Sequence, residues 1–136
     1  MGRFALAIAA MLLSCSESTM SPDGDGAEGS WELQAFQIAS GPGQVVEPGF
    51  YTADFTAAGR VSVRADCNRC SASYSAAGTK LEIGVLACTR VYCGDGSLFD
   101  DYVTALDAAT SFERSSSYLV IWHPRGTLRF VPRPPG

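Results

Sequence analysis

A chain of 136 residues with a net charge of −4, five cysteines and one histidine has room for one modest domain and little from which to build a histidine-dependent catalytic site. Its acidity sits ahead of that domain, in Glu17, Asp23, Asp25 and Glu28. The remainder is close to neutral, without the basic footprint of a nucleic-acid-binding protein, so no nucleic-acid partner is expected. There is no phosphate-binding glycine loop and no histidine-rich metal motif, so no cofactor or metal is expected.

The opening "MGRFALAIAAMLLSC" carries Arg3 and then an apolar run from Phe4 to Leu13. A charged start, a short hydrophobic stretch and small residues at the exit form a secretory signal. The run is about half of what a membrane-spanning helix needs. Its end, "LLSC", resembles the bacterial lipobox, which implies cleavage before Cys15 and lipid on that residue. Ser16, rather than an aspartate, follows it and implies sorting to the outer membrane, facing the periplasm. Residues 16–30 are small, polar and acidic, with almost nothing to bury, and read as a flexible tether. The expected organisation is a signal at 1–14, a tether at 15–29, a domain at 30–131 and a free proline-rich tail at 132–136.

Within the domain the pattern is mostly that of strands. "WELQAF" alternates from Trp31. "FYTADFT" places Tyr51, Ala53 and Phe55 on one face, and "RVSVRA" places Val61, Val63 and Ala65 inward. "CSASYS" and "KLEIGVL" flank the turn "AAGT", with Leu81, Ile83 and Val85 as the second strand's buried face. "SLFDDYVTALDAAT" switches to helical spacing at Phe99, Tyr102, Val103 and Leu106. Ser97 and Asp100 are spaced as a capping box, and Asp100 and Asp101 suit the helix N-terminus. "SYLVIW" and "TLRFV" close the chain around the turn "HPRG". The sum is an α+β class, mostly β: an antiparallel sheet with one helix packed on it.

Four cysteines cluster as Cys67, Cys70, Cys88 and Cys93. Their spacing approaches a zinc ribbon, and "CNRC" has redox spacing but lies between strands rather than at a helix N-terminus. Export to an oxidising compartment favours disulfides, for which three pairings exist. A hairpin pairing Tyr74 with Leu81 would bring Cys67 near Cys88. Arg60, Arg64, Arg69 and Arg90 surround this region as a possible anion-binding surface. His123, beside Pro124, reads as a solvent-exposed turn residue.

The order of these motifs resembles the META domain, the HslJ-like family. "WEL" at Trp31, the run Cys67-Asn68-Arg69 followed by Ser71, Ser73 and Tyr74, and Thr89-Arg90 ahead of Cys93 carry the resemblance. It implies a barrel-like antiparallel meander with one helix and no catalytic activity. It also implies Cys67–Cys93 as the family pair, leaving Cys70 and Cys88 to each other. The chain departs from the family at Val63, Asp66 and Ala72, where glycines are usual, and at Cys70, where an aromatic is usual. Family members are often lipoproteins linked to envelope stress, drug tolerance or secretion. The expected function is that of a non-enzymatic envelope lipoprotein binding a protein or envelope component. The alternatives are a periplasmic inhibitor of a lysozyme or protease, with its loop at Ala39–Gly49 or Cys93–Ser97, and a carrier of a small apolar ligand inside the barrel.

Overall fold

The computed structural model describes residues 26–38 and 43–134. The signal, Cys15 and most of the tether lie outside the described residues. The described residues form ten strands and one helix, in order: β1 Gly29–Ile38, β2 Gln44–Val45, β3 Tyr51–Phe55, β4 Arg60–Ala65, β5 Asn68–Ala77, β6 Lys80–Ile83, β7 Ala87–Cys88, α1 Phe99–Asp107, β8 Ser111–Arg114, β9 Leu119–His123 and β10 Gly126–Pro132. Eight of the strands form an up-and-down antiparallel barrel, β1-β3-β4-β5-β6-β8-β9-β10, closed by pairing of β10 with β1. The short strands β2 and β7 lie off that path, against β1 and β5. Among the described residues no helix is long and apolar enough to cross a membrane.

Eight strands give a barrel whose inside is just filled by side chains. Leu33, Val61, Leu81, Leu119, Ile121, Leu128 and Phe130 fill it and are almost wholly shielded from water. The inside is therefore core, and a carrier role for it has no room. Helix α1 packs through Phe99, Tyr102, Val103, Ala105 and Leu106. The Tyr102 hydroxyl donates to the Thr52 carbonyl at 2.9 Å, which places the helix on β3. Burial, with the charge of Asp54 nearby, raises this phenol well above its usual pKa.

Strict alternation holds in β3 and β4, where the expected inward residues are all buried. It fails in three places. In β1 a bulge between Leu33 and Ala35 shifts the register, so Phe36 rather than Ala35 reaches the core. In the β5–β6 hairpin, Tyr74 faces Ile83, not Leu81, because the turn is the two residues Gly78 and Thr79, with Gly78 at φ 60°. Beyond Ile83 the strand stops. A Cβ on Gly84 would lie 2.9 Å from Ser73 Oγ and 3.3 Å from the Ser73 carbonyl oxygen, so a side chain there would have to displace Ser73. Val85, expected inside, is consequently 90% exposed, and Leu86 is buried in its place.

Other expectations also change. Ser111–Arg114 forms a strand, so three strands follow the helix instead of two. The helix N-cap is Leu98 rather than Ser97. The Leu98 amide donates to the Tyr51 hydroxyl at 2.8 Å, and the Ser97 hydroxyl takes the Phe99 amide, so no capping box forms. The domain begins before residue 30: Ala27 is fully buried and its carbonyl accepts from Trp31 Nε1 at 3.0 Å. It also extends past 131. Pro132 pairs with Trp31, the Arg133 amide donates to the Ser30 carbonyl, and Arg133 sits 3.6 Å from Asp54.

Candidate functional site

The cysteine region is a built loop. Cys67 is bonded to Cys93 and Cys70 to Cys88. The pairing of β5 with β7 sets Cys70 directly across from Cys88. The register that would bring Cys67 beside Cys88 is not adopted: the hairpin turn already sets Tyr74 across from Ile83 rather than Leu81, and the pairing moves by one more position at Gly84 between β6 and β7. The turn before the first of these cysteines uses Asp66 at φ 59°, a conformation that short polar side chains tolerate.

Asn68 organises everything between the two staples. It is wholly buried. Its Oδ1 accepts from the Val91 amide at 2.7 Å and from the Thr89 hydroxyl at 2.8 Å. Its Nδ2 donates to the Val91 carbonyl at 2.8 Å and to Cys93 Sγ at 3.3 Å. Thr89 Oγ1 in turn accepts from the Arg69 amide at 3.1 Å, and the Thr89 amide donates to the Arg69 carbonyl. A buried amide side chain thus does for this loop what a neighbouring strand does in a sheet. The loop's backbone is satisfied inward while its side chains point out: Val91 is 63% and Tyr92 76% exposed. The Tyr92 hydroxyl bonds Asp95, and the Arg90 guanidinium lies over the Phe99 ring at 5.7 Å.

The four predicted arginines do not form one cluster. Arg60, Ser62 and Arg64 share the outer face of β4, and Arg69 stands directly across from Arg64 on β5, while Arg60 faces Ser73. Arg90 belongs to the stapled loop and lines a different cleft with Tyr92 and Asp100. Arg133, which sequence reasoning assigned to a free tail, joins Arg64 and Arg69 around a cleft of about 250 Å³ with Thr52, Asp54 and Ser62. Only the closing of β10 on β1 puts it there, and no local pattern announces that contact.

The signature residues are structural. Trp31 ties the chain entering β1, and Tyr74 packs edge-on against Phe55 and donates to the Thr56 carbonyl at 2.6 Å. Ser73 accepts the Gly84 amide on its carbonyl at 2.8 Å, and Thr89 belongs to the Asn68 network.

His123 is not the exposed turn residue expected. It ends β9, is 8% exposed and stacks on Phe36 with ring centroids 6.2 Å apart. Its Nδ1 accepts from the Arg125 amide at 3.4 Å, and its buried Nε2 has no partner among the described residues. Burial, and secondarily the charge of Arg125, lowers its pKa. It lines a cavity of about 150 Å³ with Phe36, Ala105, Ala108 and Pro124, between α1 and the β9–β10 turn.

Comparison with known proteins agrees with this architecture. No curated protein matches the sequence. The fold is similar to an NMR structure of a protein from Burkholderia xenovorans, with 27% identity, a TM-score of 0.63, and 79% of this chain and 83% of that one covered. It is also similar to a crystal structure of a DUF4847 family protein from Bacteroides vulgatus, with 15% identity, a TM-score of 0.58, and 81% and 96% covered. The META domain family matches the sequence over residues 25–135. With that match spanning the whole barrel and its helix, the chain belongs to the META domain family.

Proposed function

We propose that the chain is a non-enzymatic binding domain, held on the bacterial outer membrane by lipid on Cys15, that docks on an envelope protein through the loop Thr89–Tyr92. The observation that carries this reading is the loop itself. Two disulfides and Asn68 fix its backbone, and Val91 and Tyr92 stand exposed on it. A loop ordered before binding loses little entropy when it docks, and tyrosine is among the residues that dominate interface energies. A non-enzymatic role is supported by the state of the single histidine, which is packed against Phe36 rather than poised beside a nucleophile. A stress- or secretion-related task fits the family's associations. The same rigid loop favours the inhibitor as second reading, since blocking an active site needs a projecting, pre-ordered segment.

The test is site-specific photo-cross-linking in the native envelope, with the probe at Val91 and a control probe at Glu113. The expected result is a discrete protein adduct from position 91 that untagged wild-type chain competes away and the Tyr92→Ala chain does not. The same adducts from both positions would refute the reading. Anchoring is checked separately: Cys15→Ser should release the protein from the membrane fraction, and an unchanged membrane-bound share would contradict it.

A further inference from the structure

We propose that the cleft framed by Arg64, Arg69 and Arg133 binds a phosphate group. Arg64 and Arg69 occupy directly opposed positions on β4 and β5, both side chains outward. Like charges in opposed positions destabilise a sheet. Among the described residues no carboxylate lies within ion-pair distance of either guanidinium; the ion pairs are Lys80–Glu82 and Arg133–Asp54. The third arginine reaches the same cleft from the end of β10. Asp54 offsets one of the three charges and orients Arg133, leaving two positive charges facing an opening of about 250 Å³.

Arg64 is already aimed. Its Nε donates to the Asp66 carbonyl at 3.0 Å and its guanidinium lies 5.2 Å from the centre of the Phe50 ring. That leaves its terminal nitrogens for a ligand. Planar guanidinium forks match phosphate oxygens two at a time, and the hydroxyl of Ser62, which lines the same cleft, adds a donor. A carboxylate offers one charge and two oxygens to this set; a phosphate, with up to two charges and more oxygens, satisfies it better. Arg60 and Arg90, outside the cleft, take no part. The site adjoins the stapled loop, since Cys70 lines it and the Arg69 backbone pairs with Thr89, but its three arginine side chains lie outside that loop, and the proposal stands whether or not the loop docks on a protein. A free phosphate ester and a phospholipid headgroup share the chemistry recognised here.

The experiment follows the arginine Nε–H signals by NMR while inorganic phosphate is titrated into the chain carrying Cys15→Ser, with chloride keeping ionic strength constant. Saturable shifts are expected at Arg64, Arg69 and Arg133. Arg69→Gln should weaken binding at least about tenfold, the loss of one charge-assisted contact, while Arg125→Gln at the β9–β10 turn changes nothing. Arg133→Gln, judged by the same fold-change, serves if Arg69→Gln lowers the melting temperature. Flotation with phosphatidylglycerol vesicles separates the sources. Vesicle binding abolished by Arg69→Gln assigns the headgroup, and phosphate binding without vesicle binding assigns a free phosphate. Shifts that do not saturate, or equal losses in Arg69→Gln and Arg125→Gln, would overturn the proposal.

Discussion

The loop Thr89–Tyr92 and the turn from His123 to Gly126 both join elements at the barrel surface, and they are held by different means. The loop exposes its apolar residues, so burial cannot hold it. Two disulfides and a buried asparagine do so instead. The turn has neither. It is held by packing of His123 on Phe36, beside a cavity lined also by α1, and it keeps a buried nitrogen without a partner among the described residues. A segment whose side chains must stay available needs covalent and hydrogen-bonded supports. One held by burial tolerates imperfections but becomes sensitive to whatever charges its buried groups.

The contrast is broken most strongly by reduction. The staples join residues 26 and 18 positions apart. Loops of that size contribute about 3 kcal/mol per bridge, a large share of the 5–15 kcal/mol typical of a domain. Guanidinium unfolding with and without reductant should show a loss of that order per bridge. Equal midpoints would mean that the bridges do not constrain the fold. Next in size is Asn68→Ala. It strips the inward partners from Val91 and Thr89 and should cost about 2–3 kcal/mol in the same assay with both disulfides intact. A cost below about 0.5 kcal/mol would remove Asn68 from its organising role.

The burial-held turn should answer to pH. Because the folded chain lowers the His123 pKa below the usual 6.5, the unfolded chain takes up its proton at higher pH than the folded one. The contribution of neutral His123 is fully present above about 6.5 and is lost progressively as pH falls through the lower folded value. Comparing wild type with His123→Gln across that window should show the wild type losing stability relative to the variant as pH drops. Parallel curves would contradict the sign. The smallest effect belongs to the exposed tip. Tyr92→Ala should change stability by no more than about 0.5 kcal/mol while weakening partner cross-linking.

What sequence reasoning could reach follows from where the chain keeps its period. Tyr51, Ala53, Phe55, Val61, Val63 and Ala65 alternate without interruption, and β3 and β4 were legible from them. Phe36, Val85 and the partner of Tyr74 were not, because each depends on a shift of one or two residues that a bulge, Gly84 or a turn imposes. A slip of one residue exchanges the two faces of a strand, so small register errors become large burial errors. The residues of the loop were legible as a signature. Asn68's role was not, because it depends on Val91, 23 positions away in sequence. Arg133 was missed for the same reason. Its place in the arginine cleft comes from barrel closure, a contact between the two ends of the domain.

The central claim is that Thr89–Tyr92 is rigid although exposed, and backbone amide relaxation tests it most directly. The Val91 and Tyr92 amides should show order parameters near about 0.85, the value of well-ordered backbone, and should lose that order when the disulfides are reduced. Values below about 0.6 in the oxidised protein, the range of a flexible loop, would contradict the account.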